Sequence, residues 1–313
     1  MQRFKRILVF NDGGPRGRVV LVRAAALAER NKARITLFSV LESLPRELQR
    51  LSAAIHPSEL WELAVQERQK VLGRLVARAG KQNVGIAVRI SGGTPFIEVI
   101  KEVLRENHDL VMMAADGSGG VRNLLFGSTS AHLMRKCPCP VWVVKSGRSR
   151  TFSKVLAAVD PDSSDQGHNL LNLKILQLAA SLSRLEGSQL HVIHAWVPAS
   201  RWLRLAGSRL AESELEQIDR SSEAAHSIGF GELLGNVPLN DLDVSRHMLK
   251  GEPSHLIARL ARAKGIDVIV MGTVCRSGVP GLIIGNTAET VLGQVNCSVL
   301  TVKPEGFVSP VEA

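Results

Sequence analysis

The chain has 313 residues, of which 45% are hydrophobic and 22% are charged. This composition is typical of a globular protein and excludes a disordered chain, and the length suits two domains of about 150 residues each. No run of roughly 18 or more predominantly apolar residues occurs, so we expect no membrane span. Four cysteines are too few for a disulfide framework, so we expect a reducing, cytoplasmic location.

Positive charge is concentrated in the first half of the chain. The whole sequence has 39 Lys and Arg against 29 Asp and Glu, a net charge of +10. Residues 1–150 hold 25 of the basic and 12 of the acidic side chains, a net +13; the remainder holds 14 and 17, a net −3. A basic half is typical of nucleic-acid-binding proteins, but these residues are scattered without a long run, and the chain has no Tyr for base stacking. We therefore expect no nucleic-acid binding, and interpret the charge as a solvated surface with affinity for anions in general.

Alternating strands and helices are predicted along the first half. Short runs rich in β-branched residues occur at 6–10, 34–40, 85–91, 109–115 and 140–145. Stretches with helical periodicity lie between them. The strands are continuously apolar, which is typical of a parallel sheet covered by helices on both faces.

The second half repeats this plan, with predicted strands at 154–159, 189–196, 244–251, 267–272 and 298–303. Matching landmarks in the two halves are separated by the same 158 residues: Asp109 and Asp267, Gly127 and Gly285, Cys139 and Cys297, Lys145 and Lys303. A constant offset requires equal loop lengths throughout, which indicates an internal duplication. Two copies are too few for a solenoid. We therefore predict two like domains, 1–148 and 149–313.

A glycine-rich loop follows the fourth predicted strand of each half and leads into a helix. The N–H groups of such a loop, together with the dipole of the next helix, can hold a phosphate. In α/β sheets this kind of site lies at the carboxyl ends of the strands. Asp12 and Asp160 end the first strands of the two halves at the same edge.

These loops resemble the signature of the universal stress protein family. The signature reads G-x-x-G-x(9)-G-[ST] between the fourth strand and the next helix, with an Asp closing the first strand. The resemblance covers almost the whole chain twice, as in tandem-domain members. It implies two flavodoxin-like domains, also called adenine nucleotide alpha hydrolase-like, each a five-stranded parallel sheet with helices on both faces.

The resemblance also implies a nucleotide site, with ATP or AMP and Mg²⁺ in the first domain. In nucleotide-binding members the adenosine lies between the end of the first strand and the residue after the second, and the glycine loop holds the phosphates. The implied cofactor-binding residues are Asp12, Val40, Ala114, Gly117, Gly127, Ser128 and Thr129 in the first copy, and Asp160, Ala195, Gly272, Cys275, Gly285, Asn286 and Thr287 in the second.

Both copies depart from the signature. The first has Ala114 in place of the first glycine, and the second has Cys275 in place of the second glycine and Asn286 in place of Ser or Thr. A Cβ is costly where φ is positive or where phosphate touches the backbone. Cys275 stands in the middle of the loop, so we expect the second site to be the more damaged. Alternatively, the glycines of both loops serve only the turn from strand to helix.

Assembly follows from the same resemblance. In this family, domains pair edge to edge through the fifth strand, and an unpaired apolar edge strand invites aggregation. We expect the strand with Val141 and Val143 to pair with the strand with Val299 and Thr301 within one chain. Whole chains are then expected to form a homodimer.

No other residue pattern in the sequence indicates catalysis. Cys137 and Cys139 are interpreted as small buried hydrophobes, because a metal site requires further ligands nearby. His191 and His194 are three apart on a strand, so they face opposite sides and cannot share a metal. A nucleophile elbow, an HExxH helix and a spaced carboxylate pair are all missing from the sequence. We therefore expect no turnover enzyme.

Three functions stay open on this evidence. The first is a binding or scaffold protein of the stress response, and the second is an ATP-binding switch or weak ATPase using the first domain. The third is a carrier of an apolar small molecule in the cleft between the domains. For the third, Leu60, Trp61 and Leu63 after the second strand either roof a pocket or form an ordinary core face of a helix.

Overall fold

The computed structural model describes residues 4–14, 16–42, 56–79, 84–115, 127–145, 151–161, 166–273 and 285–312. The backbone divides into two compact units. The first comprises residues 1–150 with 308–313, and the second comprises residues 151–307. Among the residues described, no helix is long and apolar enough to cross a membrane.

The first unit contains a parallel sheet of five strands. These are β1 (Arg6–Phe10), β2 (Arg34–Leu41), β3 (Ile86–Gly92), β4 (Leu110–Ala114) and β5 (Val141–Val144). Their order in the sheet is β3-β2-β1-β4-β5. The helices in the described part of this unit are α1 (Gly17–Asn31), α2 (Pro57–Ala79), α3 (Pro95–Glu106) and α4 (Ser128–Lys136).

Burial explains the continuous apolar sequence of the central strands. Ile7, Leu8 and Val9 of β1 are fully buried, as a parallel sheet covered on both faces requires. Helix α1 packs against β1, β2 and β4, and its Ala24 and Ala25 are also fully buried. The small alanine side chains therefore let this helix approach the sheet closely.

The second unit repeats this architecture. Its strands are β6 (Lys154–Val159), β7 (Gln189–Trp196), β8 (Val244–Lys250), β9 (Val268–Gly272) and β10 (Ser298–Val302), in the order β10-β9-β6-β7-β8. The helices in its described part are α5 (Gln166–Glu186), α6 (Ala199–Leu205), α7 (Glu212–Gly235), α8 (Pro253–Lys264) and α9 (Asn286–Gln294). The predicted fold class, two tandem five-stranded parallel α/β domains, is confirmed.

Asp109 and Asp267 lie just before β4 and β9, one residue outside the strands predicted to include them. Asp109 accepts backbone N–H groups of Lys5 at 2.6 Å and of Arg6 at 3.0 Å. Asp267 likewise accepts the backbone N–H of Lys154 at 3.0 Å. Each carboxylate thus binds the backbone where the neighbouring strand, β1 or β6, begins, and each backbone N–H also donates to that strand at 3.0 Å.

Candidate functional site

Several predicted site residues of the first unit lie where β4 ends and α4 begins. Ala114 is the last residue of β4, Gly127 directly precedes α4, and Ser128 and Thr129 open the helix. Gly127 has an extended backbone and no side chain to cap the first turn. Among the described residues, no side chain caps the positive end of α4, a position where an anion is favoured. Gly117 lies outside the described residues.

The turn after β1 brings Asp12 to the same edge of the sheet. Asp12 Oδ1 accepts the N–H of Gly14 at 2.8 Å, and Asn11 Oδ1 accepts the N–H of Gly13 at 2.7 Å. These bonds shape the turn into α1, as Asx side chains commonly do. The Asp12 side chain remains exposed, whereas Val40 at the end of β2 is buried. A ligand at this edge would therefore meet the carboxylate of Asp12 but only the backbone of Val40.

Helix α2 contributes Arg68, which had no predicted role, and Trp61, which was predicted either to roof a pocket or to lie on a core face of the helix and is exposed here. Arg68 Nη1 donates to the buried Ser39 Oγ at 2.7 Å, and its guanidinium carbon lies 3.0 Å from where a Cβ on Gly13 would be. Gly13 has φ +92°, which favours glycine. The indole of Trp61 covers Gly92 at the end of β3. Trp61 and Arg68 are seven residues apart and so share one helix face, a spacing that was readable in the sequence.

In the second unit, Asp160 is held by α5. Its N–H donates to Asn172 Oδ1 at 2.9 Å, and Asn172 Nδ2 donates back to the Asp160 carbonyl at 2.8 Å. The Asp160 carboxylate Oδ1 lies 3.8 Å from Nδ1 of His194. Asp160 is therefore fixed by its backbone, and its carboxylate faces a buried imidazole.

Side chains of α7 cover this edge of the second unit. His194 is fully buried on β7, and its Nε2 lies 2.9 Å from Nδ1 of His226 on α7. The His226 ring stacks on Trp196 with centroids 4.8 Å apart, and the Phe230 ring lies 5.9 Å from that of His194. Ala195, predicted to contact adenosine, is buried beside them. No sequence signal pointed to His226, because its partner His194 lies 32 residues away in the chain and no periodic pattern marks such a distant contact.

The loop site of the second unit is flanked by Gly272, which ends β9, and by Gly285, which precedes α9. A Cβ on Gly272 would lie 3.1 Å from Leu171 Cδ2, so this glycine allows close packing of α5. Gly285 N–H donates to the Thr273 carbonyl at 3.0 Å. Asn286 and Thr287 are the first two residues of α9, and Cys275 lies outside the described residues.

The remaining chemical candidates are buried. Cys137 and Cys139 have their Sγ atoms 3.6 Å apart, and both are buried, as is Cys297. The contact with Cys137, together with burial, raises the pKa of the Cys139 thiol well above its usual value. His191 contacts His247 at 3.0 Å, whereas His194 contacts His226, so the two strand histidines have separate partners, as predicted. Among the described residues, no group of three or more His, Cys, Asp or Glu could hold a metal ion.

The duplicated sheet, with a loop and a helix N-terminus after the fourth strand of each copy, defines a tandem adenine nucleotide alpha hydrolase-like protein. The model of the universal stress protein family matches residues 3–145 and 151–303. The chain belongs to this family, which confirms the resemblance found in the sequence.

Relatives of the same length support this assignment. Universal stress protein E of Photorhabdus laumondii is 26% identical over 316 residues, covering 100% of this chain and 99% of the relative. Universal stress protein E of Escherichia coli K12 is 28% identical over 321 residues, covering 100% and 98%. The crystal structure of a universal stress protein from Archaeoglobus fulgidus is 20% identical, with a TM-score of 0.65, and covers 95% of this chain and 98% of that chain. That last similarity shows the fold alone.

Proposed function

We propose that this chain is a cytoplasmic binding protein of the stress response that performs no turnover chemistry and binds a ligand through its first unit. The ligand class is an adenine nucleotide, ATP or AMP with Mg²⁺, held weakly at the carboxyl edge of the first sheet. The observation that carries the proposal is the difference between the two units at this edge.

In the first unit, the edge combines polar and cationic groups. The exposed Asp12 carboxylate would contact ribose or Mg²⁺, and the Arg68 guanidinium adds positive charge beside it. The first-turn N–H groups of Ser128 and Thr129 would hold phosphate oxygens at the positive end of α4. The residues present therefore fit a nucleotide.

In the second unit, His226 stands 158 residues after Arg68 and contacts β7 as Arg68 contacts β2, so imidazole and aromatic rings replace the cation at this edge. A base placed between Asp160 and Ala195 would meet the rings of His226 and Phe230, which already pack on His194. Binding there requires α7 to move and leaves buried imidazole nitrogens without partners, which costs free energy. The proposal therefore assigns nucleotide binding to the first unit alone.

The proposal includes the assembly. Two tandem domains of one family are consistent with an internal pseudo-dimer. We infer that β5, with Val141 and Val143, pairs with β10, with Val299 and Thr301, and that whole chains form a homodimer. The domain boundary between residues 148 and 149 belongs to the same proposal.

A second candidate function is supported by a cavity in the second unit. This cavity of about 340 Å³ lies between α5 and α7 and is lined mostly by apolar side chains. Leu170, Leu173 and Leu233 contribute to its walls, and Leu170 is 58% exposed. Its volume lies in the range of small-molecule sites, about 300–1,000 Å³. A small apolar molecule fits this cavity, which supports a carrier function at a place within the second unit, not in the cleft where the sequence led us to expect the ligand.

Mass spectrometry of ligands that co-purify with the native full-length protein tests both candidates. A co-purified adenine nucleotide that is lost in Gly117→Val and retained in Leu173→Trp supports the first. A co-purified apolar molecule that is retained in Gly117→Val and lost in Leu173→Trp supports the carrier, because the larger side chain of Leu173→Trp fills the cavity. Native protein free of both, which also fails to bind added ATP, would leave only a scaffold.

A further inference from the structure

A polar cleft lies at the amino-terminal edge of the first sheet, opposite the edge that carries the proposed nucleotide site. Its volume is about 470 Å³. It is lined by Lys5, Arg6, Lys32, Arg34, Thr36, Glu106 and His108. Four of these seven side chains are cationic, so the cleft concentrates part of the +13 charge of the first half.

Two of the cations are used within the fold. Lys5 Nζ donates to the Asn31 carbonyl at 2.7 Å, and Arg6 Nη1 donates to the Glu106 carbonyl at 3.1 Å. Both carbonyls lie at helix C-termini, where positive charge is favourable. Lys32 and Arg34 are exposed, and neither side chain has an ion pair or hydrogen bond among the described residues. Helix capping therefore accounts for two of the four cations.

Negative charge in the cleft is already engaged. Glu106, the one carboxylate in the described lining, lies 2.7 Å from Arg89, and this hydrogen bond lowers the pKa of Glu106. His108 is buried, and burial lowers the pKa of its imidazole, so it is neutral near pH 7. Its Nδ1 lies 3.3 Å from the Arg6 carbonyl, to which a neutral imidazole donates. The seven lining residues therefore carry a net positive charge. Next to the lining, Glu102 Oε1 lies 3.8 Å from His108 Nε2, and Asp109 accepts the backbone N–H groups of Lys5 and Arg6.

The duplicated second unit provides an internal comparison. Lys154, which pairs with Gln189 as Arg6 pairs with Arg34, donates to the Lys264 carbonyl at 2.8 Å and so caps α8. The other three cations have no counterpart there, because Ser153, Gly187 and Gln189 stand where the first unit has Lys5, Lys32 and Arg34. The second unit therefore folds with Lys154 and Lys264 at this edge, and of the three cations found only in the first unit, Lys5 caps α1 whereas Lys32 and Arg34 have no such contact among the described residues.

The backbone conformation of Lys32 distinguishes the two units at this edge. Lys32 ends α1 in the left-handed conformation with φ +51°, and Gly187 ends α5 with φ +68°. Glycine adopts this conformation without steric cost, whereas a residue with a Cβ does not. A lysine therefore occupies a position where the second copy shows that glycine suffices.

We infer that this cleft binds a phosphate-bearing anion. Four cations, of which Lys32 and Arg34 have no hydrogen bond or ion pair among the described residues, an ion-paired Glu106 and a volume suited to a small molecule fit a chain of phosphate groups, whether free or part of a nucleotide. The cleft lies at the edge of the sheet opposite the glycine loop, so it is distinct from the proposed nucleotide site. It does not depend on the proposed function.

Calorimetric titration of the full-length protein with inorganic triphosphate at low salt tests this site. Arg34→Glu reverses one exposed charge in the cleft, and Arg74→Glu makes the same change on the exposed surface of α2. We expect Arg34→Glu to weaken binding by about tenfold or more, and Arg74→Glu to change it by less than about twofold. Adding salt should weaken binding to the native protein, because screening reduces the attraction.

Comparison with the glycine loop separates this site from the nucleotide site. In Gly117→Val, the triphosphate binding that Arg34→Glu weakens should be retained, since that part belongs to the cleft. If the cleft recognises the phosphate groups alone, ATP and triphosphate should bind the Gly117→Val variant with similar affinity. Adding Arg34→Glu to that variant should weaken the binding of both. The inference is overturned if native protein binds no triphosphate, if both charge reversals weaken binding equally, or if Gly117→Val removes binding that Arg34→Glu preserves.

Discussion

His194 Nε2 lies 2.9 Å from His226 Nδ1, and this contact joins β7 to the middle of α7. One of the two nitrogens must donate a proton and the other must accept it. His194 is fully buried, and the His226 ring also stacks on Trp196. The contact therefore holds α7 over the edge of the second sheet where Asp160 lies.

Replacing His226 by alanine should destabilise the second unit. The substitution removes the ring stacked on Trp196 and leaves the buried Nε2 of His194 without its partner, which costs about 1–3 kcal/mol. For a domain of this size each kcal/mol lowers Tm by about 2–4 °C, measurable by scanning calorimetry. His255→Ala, at an exposed position of α8, is the control and should change little. An unchanged transition in the His226 variant would show that the contact does not hold α7.

The pair His191 and His247 predicts a loss of stability in acid. Their rings stack with centroids 5.3 Å apart. Burial lowers the pKa of both imidazoles, and for His191 the neighbouring His247 lowers it further. Unfolded imidazoles titrate near pH 6.5. Below that pH the unfolded chain binds more protons than the folded one, so the free energy of unfolding falls as the pH falls.

Urea unfolding as a function of pH measures this effect. The midpoint should be nearly constant from about pH 8 to 7 and should fall from about pH 6.5 to 5, since the folded pKa values lie below the unfolded ones. His247→Gln should reduce this fall, because one depressed imidazole is removed and the other is relieved of its neighbour. His255→Gln should keep the native dependence. The same pH profile in both variants would rule out the pair as its source.

The cysteines should differ in reactivity towards a maleimide under native conditions. Cys137, Cys139 and Cys297 are buried, and the raised pKa of Cys139 keeps its thiol protonated. We expect Cys275 to react first, since its loop leads into the N-terminus of α9, where a thiolate is favoured. Peptide mass spectrometry identifies the labelled site, and Cys275→Ser should remove the fast phase. Preferential labelling of Cys139 would contradict this placement.

ATP should stabilise the protein only slightly more than inorganic triphosphate does. A ligand at about 100 times its Kd adds about 2.7 kcal/mol, and each kcal/mol raises Tm by about 2–4 °C for a domain of 150–250 residues. Tight binding would therefore raise Tm by roughly 5–11 °C. Because Ala114 replaces a glycine of the loop, we expect a smaller shift, below about 3 °C, at millimolar Mg-ATP. Triphosphate is the reference, since any polyanion should stabilise the basic first half.

Gly117→Val should abolish whatever ATP shift exceeds this reference, because its side chain would occupy the phosphate position. If the ATP-induced rise in Tm above the triphosphate reference persists in Gly117→Val, the phosphates bind elsewhere. A native shift more than about 5 °C above triphosphate corresponds to tight binding, and would favour the nucleotide switch over a binding protein with weak nucleotide affinity.

The sequence by itself determined the family, the ten strands and their duplication. Apolar runs such as 154–159 and 189–196 are local patterns, and the strands β6 and β7 match them residue for residue. The helix after the glycine-rich loop was likewise predicted, and in the first unit it begins at Ser128. The start of β4 lies one residue after the predicted Asp109, whose carboxylate accepts the backbone N–H of the distant Lys5, a contact that no local pattern reports.

Only the tertiary structure decided which side chains meet at each edge of the sheets. Arg68 reaches Ser39 across 29 positions, and His226 reaches His194 across 32. The cleft that joins Lys5 to Arg34 likewise exists only because β1 and β2 pair in parallel register. Periodicity reports which face of an element is buried, but contacts between elements depend on strand order and helix position. These are set by packing of the whole domain, and no local stretch of sequence encodes them.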